Sequence, residues 1–147
     1  MTPIASLDDL TPGQVFDFGT LAFTEAEIIA FARLYDPQPF HLDPEAARSS
    51  LFGNLVASGL HTLSACFGRI MGSGVFNAIS EGGNRIDTRW PAPLRADEPF
   101  AIQTTVMEIR PSRSGRPLGI AILRHTATRI ADGIVVMEAT GTHFLRR

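Results

Sequence analysis

The apolar positions change period about halfway along the chain. In the first half they recur every three or four residues, and beyond Asn84 they recur at every second residue. Residues 1–14 carry neither period and read as an irregular lead-in. Val15 to Phe23 alternates loosely, enough for a short strand. Thr24 and Glu27 then have capping-box spacing, with Phe23 and Ile28 placed as a hydrophobic staple. Ile28, Phe31, Ala32 and Tyr35 fall on one face of the helix this opens. Asp36-Pro37 ends it, because a residue before proline is pushed out of the α region. Asp43-Pro44-Glu45 reads as an N-cap, a first-turn proline and an acidic first turn, opening a short helix that ends near Ser50.

Ser58 to Met71 predicts a second long helix. Leu60, Leu63, Phe67, Ile70 and Met71 share one face, and Ser64, Ala65, Cys66 and Gly68 occupy the other side. A helix so poor in charge is expected to be enclosed on most sides. Gly72-Ser73-Gly74 stops it. The strands follow. Asn84 to Trp90 alternates and ends at Pro91 and Pro93. Pro99 to Ile109, Leu118 to Ile130 and Ile134 to Leu145 are rich in β-branched residues. Ser112-Arg113-Ser114-Gly115 links two of them, and Asp132-Gly133 marks a hairpin between the last two. Helices first and antiparallel strands second predict an α+β fold, with a curved sheet wrapped around the central helix. So few strands cannot close a barrel. One edge stays open, and an open edge invites pairing with a second copy.

Composition narrows the picture. The 147 residues suit one domain, 1–147. A net charge of −2 with no basic stripe argues against a nucleic-acid partner. The longest weakly polar run, Asn54 to Gly68, is too short to span a bilayer, and the N-terminus lacks the pattern of a signal peptide. The single cysteine, Cys66, fits a reducing cytoplasm and reads as a small buried apolar residue. The four histidines have no ligand spacing, so no metal is expected. Arg85, Arg89, Arg113 and Arg116 read as solvated strand and turn charges, although they have the charge to meet phosphates.

Candidate chemistry concentrates in Asp36-Pro37-Gln38-Pro39-Phe40-His41. A carboxylate and an imidazole lie five residues apart on a loop stiffened by two prolines, and such a pair is suited to general acid–base work. Taken alone, Asp36 reads as a helix end and His41 as a hydrogen-bonded loop histidine. Ser58 at the start of the central helix is a cap or a polar wall. The N–H of Gly59, one residue on, has no intrahelical partner and lies at the positive end of the helix dipole. His61, His125 and His143 read as structural.

Asp36-Pro37-Gln38-Pro39-Phe40-His41 resembles the Asp-x-Asn-Pro-x-His motif of the MaoC-like dehydratases, which include the (R)-specific enoyl-CoA hydratases. Phe52-Gly53-Asn54-Leu55-Val56-Ala57-Ser58-Gly59 and Arg89-Trp90-Pro91-Ala92-Pro93-Leu94 extend the resemblance over nearly the whole chain. It implies the hot-dog fold and reversible hydration of a trans-2-enoyl thioester to a 3-hydroxyacyl thioester. It also implies catalytic roles for Asp36 and His41, with the Gly59 N–H as donor to the thioester oxygen. Gln38 stands at the family's asparagine, one methylene longer, and with Ser58 completes the expected substrate-binding set. The expected partner is an acyl-CoA or acyl-carrier-protein thioester, with no cofactor beyond the coenzyme A of the substrate. The expected assembly is a homodimer or a dimer of dimers. A thioesterase on the same fold and a non-catalytic acyl-thioester binding protein are the alternatives. The absence of Asp and Glu between Ala57 and Gly72 counts against the former.

Overall fold

The computed structural model describes residues 1–147. The strands are β1 (Val15–Leu21), β2 (Ser80–Arg89), β3 (Phe100–Pro111), β4 (Leu118–Arg129) and β5 (Val135–Arg146). They form one curved antiparallel sheet in the order β1-β3-β4-β5-β2. The helices are α1 (Glu25–Tyr35), α2 (Pro39–Leu42), α3 (Pro44–Arg48) and α4 (Gly59–Gly72). The long helix α4 packs on β4 and β5, as the hot-dog arrangement requires. No helix is long and apolar enough to cross a membrane.

Local signals explain most of the boundaries. Thr24 and Glu27 form the expected capping box, each side chain bonding the other's backbone N–H. Asp43 caps α3 through Glu45 N–H. At Asp132-Gly133 the turn is clasped by Arg129, which donates to both Asp132 oxygens and to the Pro93 carbonyl. The lead-in is more ordered than its pattern suggests. A 3-10 turn at Leu7–Asp9 with its own capping box drives Leu7 and Leu10 into the core.

The core lies between α4 and the sheet, where Ile70, Phe76, Ile79, Phe100 and Ile102 are completely or almost completely buried. Burying each such side chain contributes about 1.5–3 kcal/mol. The orientation of α4 differs from the expected one. Its deepest side carries Thr62, Cys66 and Ile70, while Leu60 remains 44% exposed and Phe67 and Met71 only half-buried. Thr62 and Cys66 are small and let the helix approach the sheet closely, while Phe67 and Met71 lie half-buried at the side next to β2. Cys66 is buried, and its thiol pKa is pushed up to about 12 by burial.

The remaining histidines are structural parts of this core. His61 lies between the rings of Phe23 and Phe31, with centroids at 3.8 and 4.6 Å. Burial lowers its pKa, against the opposing charge of Glu27. His125 and His143, on adjacent strands, face each other with Nε2 atoms 3.3 Å apart. Thr104 Oγ1 meets His125 Nδ1 at 2.8 Å, and the ring of Phe67 covers both imidazoles. The His143 ring fills the space over Gly141, where a Cβ would come within 2.7 Å of it. No carboxylate accompanies the pair, so a proton on either ring would be an uncompensated buried charge.

Burial, and secondarily His143, depresses the pKa of His125 from 6.5 to about 3, and burial also lowers that of His143. The unfolded chain therefore binds more protons than the folded one below pH 6.5. The neutral pair contributes its full stability above that pH and loses it as the pH falls toward the folded values. Urea unfolding at a series of pH values should show stability declining below pH 6.5, by up to about 1.4 kcal/mol per pH unit for each group. A flat profile from neutrality down to about pH 4.5 would contradict this account.

Candidate active site

The proline-stiffened motif is not the continuous loop expected. Pro39 opens the one-turn helix α2, and His41 lies in its last turn. His41 N–H bonds the Gln38 carbonyl at 2.9 Å, which turns the imidazole inward. There His41 is 6% exposed. Asp36 caps the end of α1 through its N–H to Ala32 O and is half-buried.

Three groups converge on the Asp36 carboxylate. Ser58 Oγ donates to Oδ2 at 2.6 Å, Gln38 Nε2 donates to Oδ1 at 2.7 Å, and His41 Nε2 lies 3.3 Å from Oδ2. Burial raises the Asp36 pKa. The hydrogen bonds from Ser58 and Gln38 and the proximity of His41 together outweigh it, and the net pKa is lowered. Asp36 is therefore a carboxylate at neutral pH.

The tautomer of His41 follows from its other nitrogen. Nδ1 is 2.6 Å from the Val56 carbonyl, which can only accept, so Nδ1 carries the proton. In the neutral ring Nε2 then presents a lone pair toward Asp36. Two acceptors 3.3 Å apart are reconciled by a water that donates one hydrogen to each, or by a proton on Nε2. The Val56 carbonyl is itself held in place. Val56 N–H bonds Phe40 O, and Ala57 N–H bonds Leu94 O.

Ser58 resolves its two readings by doing both jobs. It is the N-cap of α4, accepting from Leu60 N–H at 3.2 Å while donating to Asp36, and it is completely buried. The cap takes the N–H of Leu60, that of Gly59 at the first helical position keeps no partner, and Gly59 lines the same cavity. Gln38 is exposed, and its amide is engaged by Asp36. The five candidate residues thus share one cavity of about 590 Å³. Phe40, Phe52, Leu60, Trp90 and Leu94 give it apolar walls. No arginine or lysine lines it. Arg85 and Arg89 instead pair with Asp87 and Glu138.

Two participants were not legible in the sequence. The Val56 carbonyl has no side-chain signature. Trp90, which reads only as a strand end before proline, lies against Gly59: its Nε1–H donates to Gly59 O at 2.9 Å. A Cβ at Gly59 would stand 2.5 Å from the indole ring, so glycine is required there by close approach.

Comparison with known proteins places the chain in a family. The model of the MaoC-like domain matches residues 8–137. The chain belongs to the MaoC-like dehydratase family. It resembles a MaoC-like dehydratase from Rhodospirillum rubrum, with 38% identity, a TM-score of 0.89 and 97% of each chain covered. The uncharacterized protein YdeM of Bacillus subtilis (strain 168) is 30% identical over 109 residues, 74% of this chain and 77% of that protein. The R-hydratase PhaJ1 of Pseudomonas aeruginosa shares the fold at 17% identity, with a TM-score of 0.77 over 97% of this chain and 86% of its own.

Replacing Ser58 by alanine removes a cap and a charge-assisted hydrogen bond together. Ser58→Ala should lose about 1–3 kcal/mol in denaturant unfolding. The Asp36 pKa, followed by carboxyl NMR titration, should rise from its lowered position. A wild-type titration in the variant would detach Ser58 from the carboxylate.

Proposed function

We propose that this MaoC-like protein hydrates trans-2-enoyl thioesters to 3-hydroxyacyl thioesters and catalyses the reverse dehydration. The observation that carries the reading is the His41 tautomer. With Nδ1 protonated by its bond to Val56 O, the Nε2 lone pair and the Asp36 carboxylate form a pair of acceptors for one water. That water attacks C3 of the enoyl group as His41 Nε2 takes its proton. The C2=C3 pair of electrons moves onto the thioester as an enolate, whose oxygen the Gly59 N–H receives. The enolate then collapses, taking at C2 the proton that His41 holds. Water has added across the double bond, and both side chains are restored. Asp36 orients the water and stabilises the transient imidazolium. These steps use a water and the protein's own groups, without a further cofactor.

The donor at Gly59 is preorganised by the first turn of α4, and such donors to a developing oxyanion contribute about 2.7–4 kcal/mol. The apolar walls suit an acyl chain and exclude bulk water. The substrate is an acyl-CoA or acyl-carrier-protein thioester. The lack of basic groups in the cavity leaves the carrier's phosphates outside it.

The working unit of this proposal is a homodimer. β2 is an edge strand whose ten residues are exposed apart from half-buried Thr88. Phe67 and Met71 of α4 share an open groove with Asn84 and Ile86 of β2. A second copy paired along β2 would satisfy the free edge and cover that stripe.

The decisive assay is a panel of enoyl-CoA substrates, with loss of the enoyl thioester absorbance and product chirality as readouts. Asp36→Asn and His41→Ala should each lower kcat by about a hundred- to ten-thousand-fold. Absence of turnover across all chain lengths would refute the hydratase assignment, and release of free thiol from acyl-CoA would replace it with a thioesterase. For the assembly, sedimentation of the wild type should give a dimer or a dimer of dimers, and Ile86→Lys, a charge in the proposed interface, should shift it toward monomer. A monomeric wild type would refute the pairing.

A further inference from the structure

We propose that Trp90 is a positioning residue for the Gly59 donor, an inference that rests on the hydratase reading. The Trp90 indole is 44% exposed, yet it is held at both its polar and its apolar edges. Its N–H is bonded to Gly59 O at 2.9 Å, and its ring occupies the place of the missing Cβ at Gly59. Here the ring is a clamp on the first residue of α4, whose N–H is the unpartnered donor.

The clamp is itself mounted rigidly. Trp90 follows directly on β2, and prolines at 91 and 93 restrict the segment behind it. Arg129 Nη1 holds the Pro93 carbonyl at 2.7 Å, and the Leu94 carbonyl receives the Ala57 N–H at 2.8 Å. The indole is thus carried by a loop tied to the β4–β5 turn on one side and to the residue before Ser58 on the other. The Gly59 N–H belongs to the Ser58–Gly59 peptide, whose carbonyl accepts from His61 and Thr62 N–H in the first turn of α4. Trp90 holds the next peptide, Gly59–Leu60, through its carbonyl, so the glycine Cα is fixed from the side that the helix leaves to it. Glycine at 59 and tryptophan at 90 are therefore one device: the first permits the thioester to approach, and the second removes the freedom that glycine brings.

The test uses the whole protein. Trp90→Phe keeps an aromatic ring and removes the N–H. Trp90 is the only tryptophan, so global replacement by benzothienylalanine, with sulfur in place of the indole N–H, preserves the shape. With the enoyl-CoA that the wild type hydrates best, both proteins should lose on the order of ten- to a hundred-fold in kcat. KM should stay within about twofold, because the contact acts on the donor and not on uniform binding. Hydrogen exchange at the Gly59 amide, followed by NMR without substrate, should change in both, with thermal unfolding near that of the wild type for the benzothienyl protein. Unchanged kcat, or a loss confined to KM, would overturn the positioning role and leave Trp90 as a cavity wall. If the wild type hydrates no enoyl thioester, the hydratase reading fails separately. The exchange measurement then decides the clamp, and an unaltered Gly59 amide overturns it.

Discussion

The hydrogen bond from Ser58 to Asp36 joins two parts of the chain that would otherwise be independent. On one side is the segment between α1 and α2, which carries the carboxylate and the imidazole. On the other is the start of α4, which carries the free N–H of Gly59. One hydroxyl serves both, donating to Asp36 and accepting from Leu60 N–H. The relative position of carboxylate, imidazole and free N–H is thereby set by a buried group with both of its hydrogen-bonding roles filled. A hydroxyl with one role unfilled at that depth would be costly, so this junction tolerates little variation.

The same economy governs the surrounding polar groups. Val56 O orients His41, and the Val56 peptide is in turn tied to Phe40. Gln38, longer by a methylene than the family's asparagine, reaches back to Asp36 Oδ1 at 2.7 Å. Both Asp36 oxygens are engaged, which holds it ionised and aimed at His41. The other histidines are separated from this chemistry by packing: His61 between two phenylalanine rings, and His125 with His143 under Phe67.

The unusual facing of α4 links the fold to the site. Thr62 and Cys66 bring the helix close to the sheet, with Leu60 at the candidate site's cavity and Phe67 and Met71 beside β2. A helix expected to be enclosed is therefore left with a bulky stripe uncovered within one protomer. The open edge of β2 lies beside the same stripe. These two exposed features are consistent with a single covering surface.

Local chemistry was legible where it acts over a few residues. One capping box, prolines and period-two strands marked most element boundaries, since each depends on neighbours in sequence. The Asp36–His41 spacing likewise pointed to a carboxylate and an imidazole that the structure brings within 3.3 Å of each other. What sequence could not state was direction. Of the apolar stripe expected to lead α4 inward only Ile70 is fully buried, and contact with the sheet selected Thr62 and Cys66 beside it. The tautomer of His41 depends on a carbonyl fifteen residues away. The contact of Trp90 with Gly59 spans thirty-one residues. Backbone carbonyls and ring placements leave no local signature in residue order, because they arise only when distant segments are packed together. The sequence by itself determined which groups are available for chemistry; tertiary packing decided which atoms they present to one another.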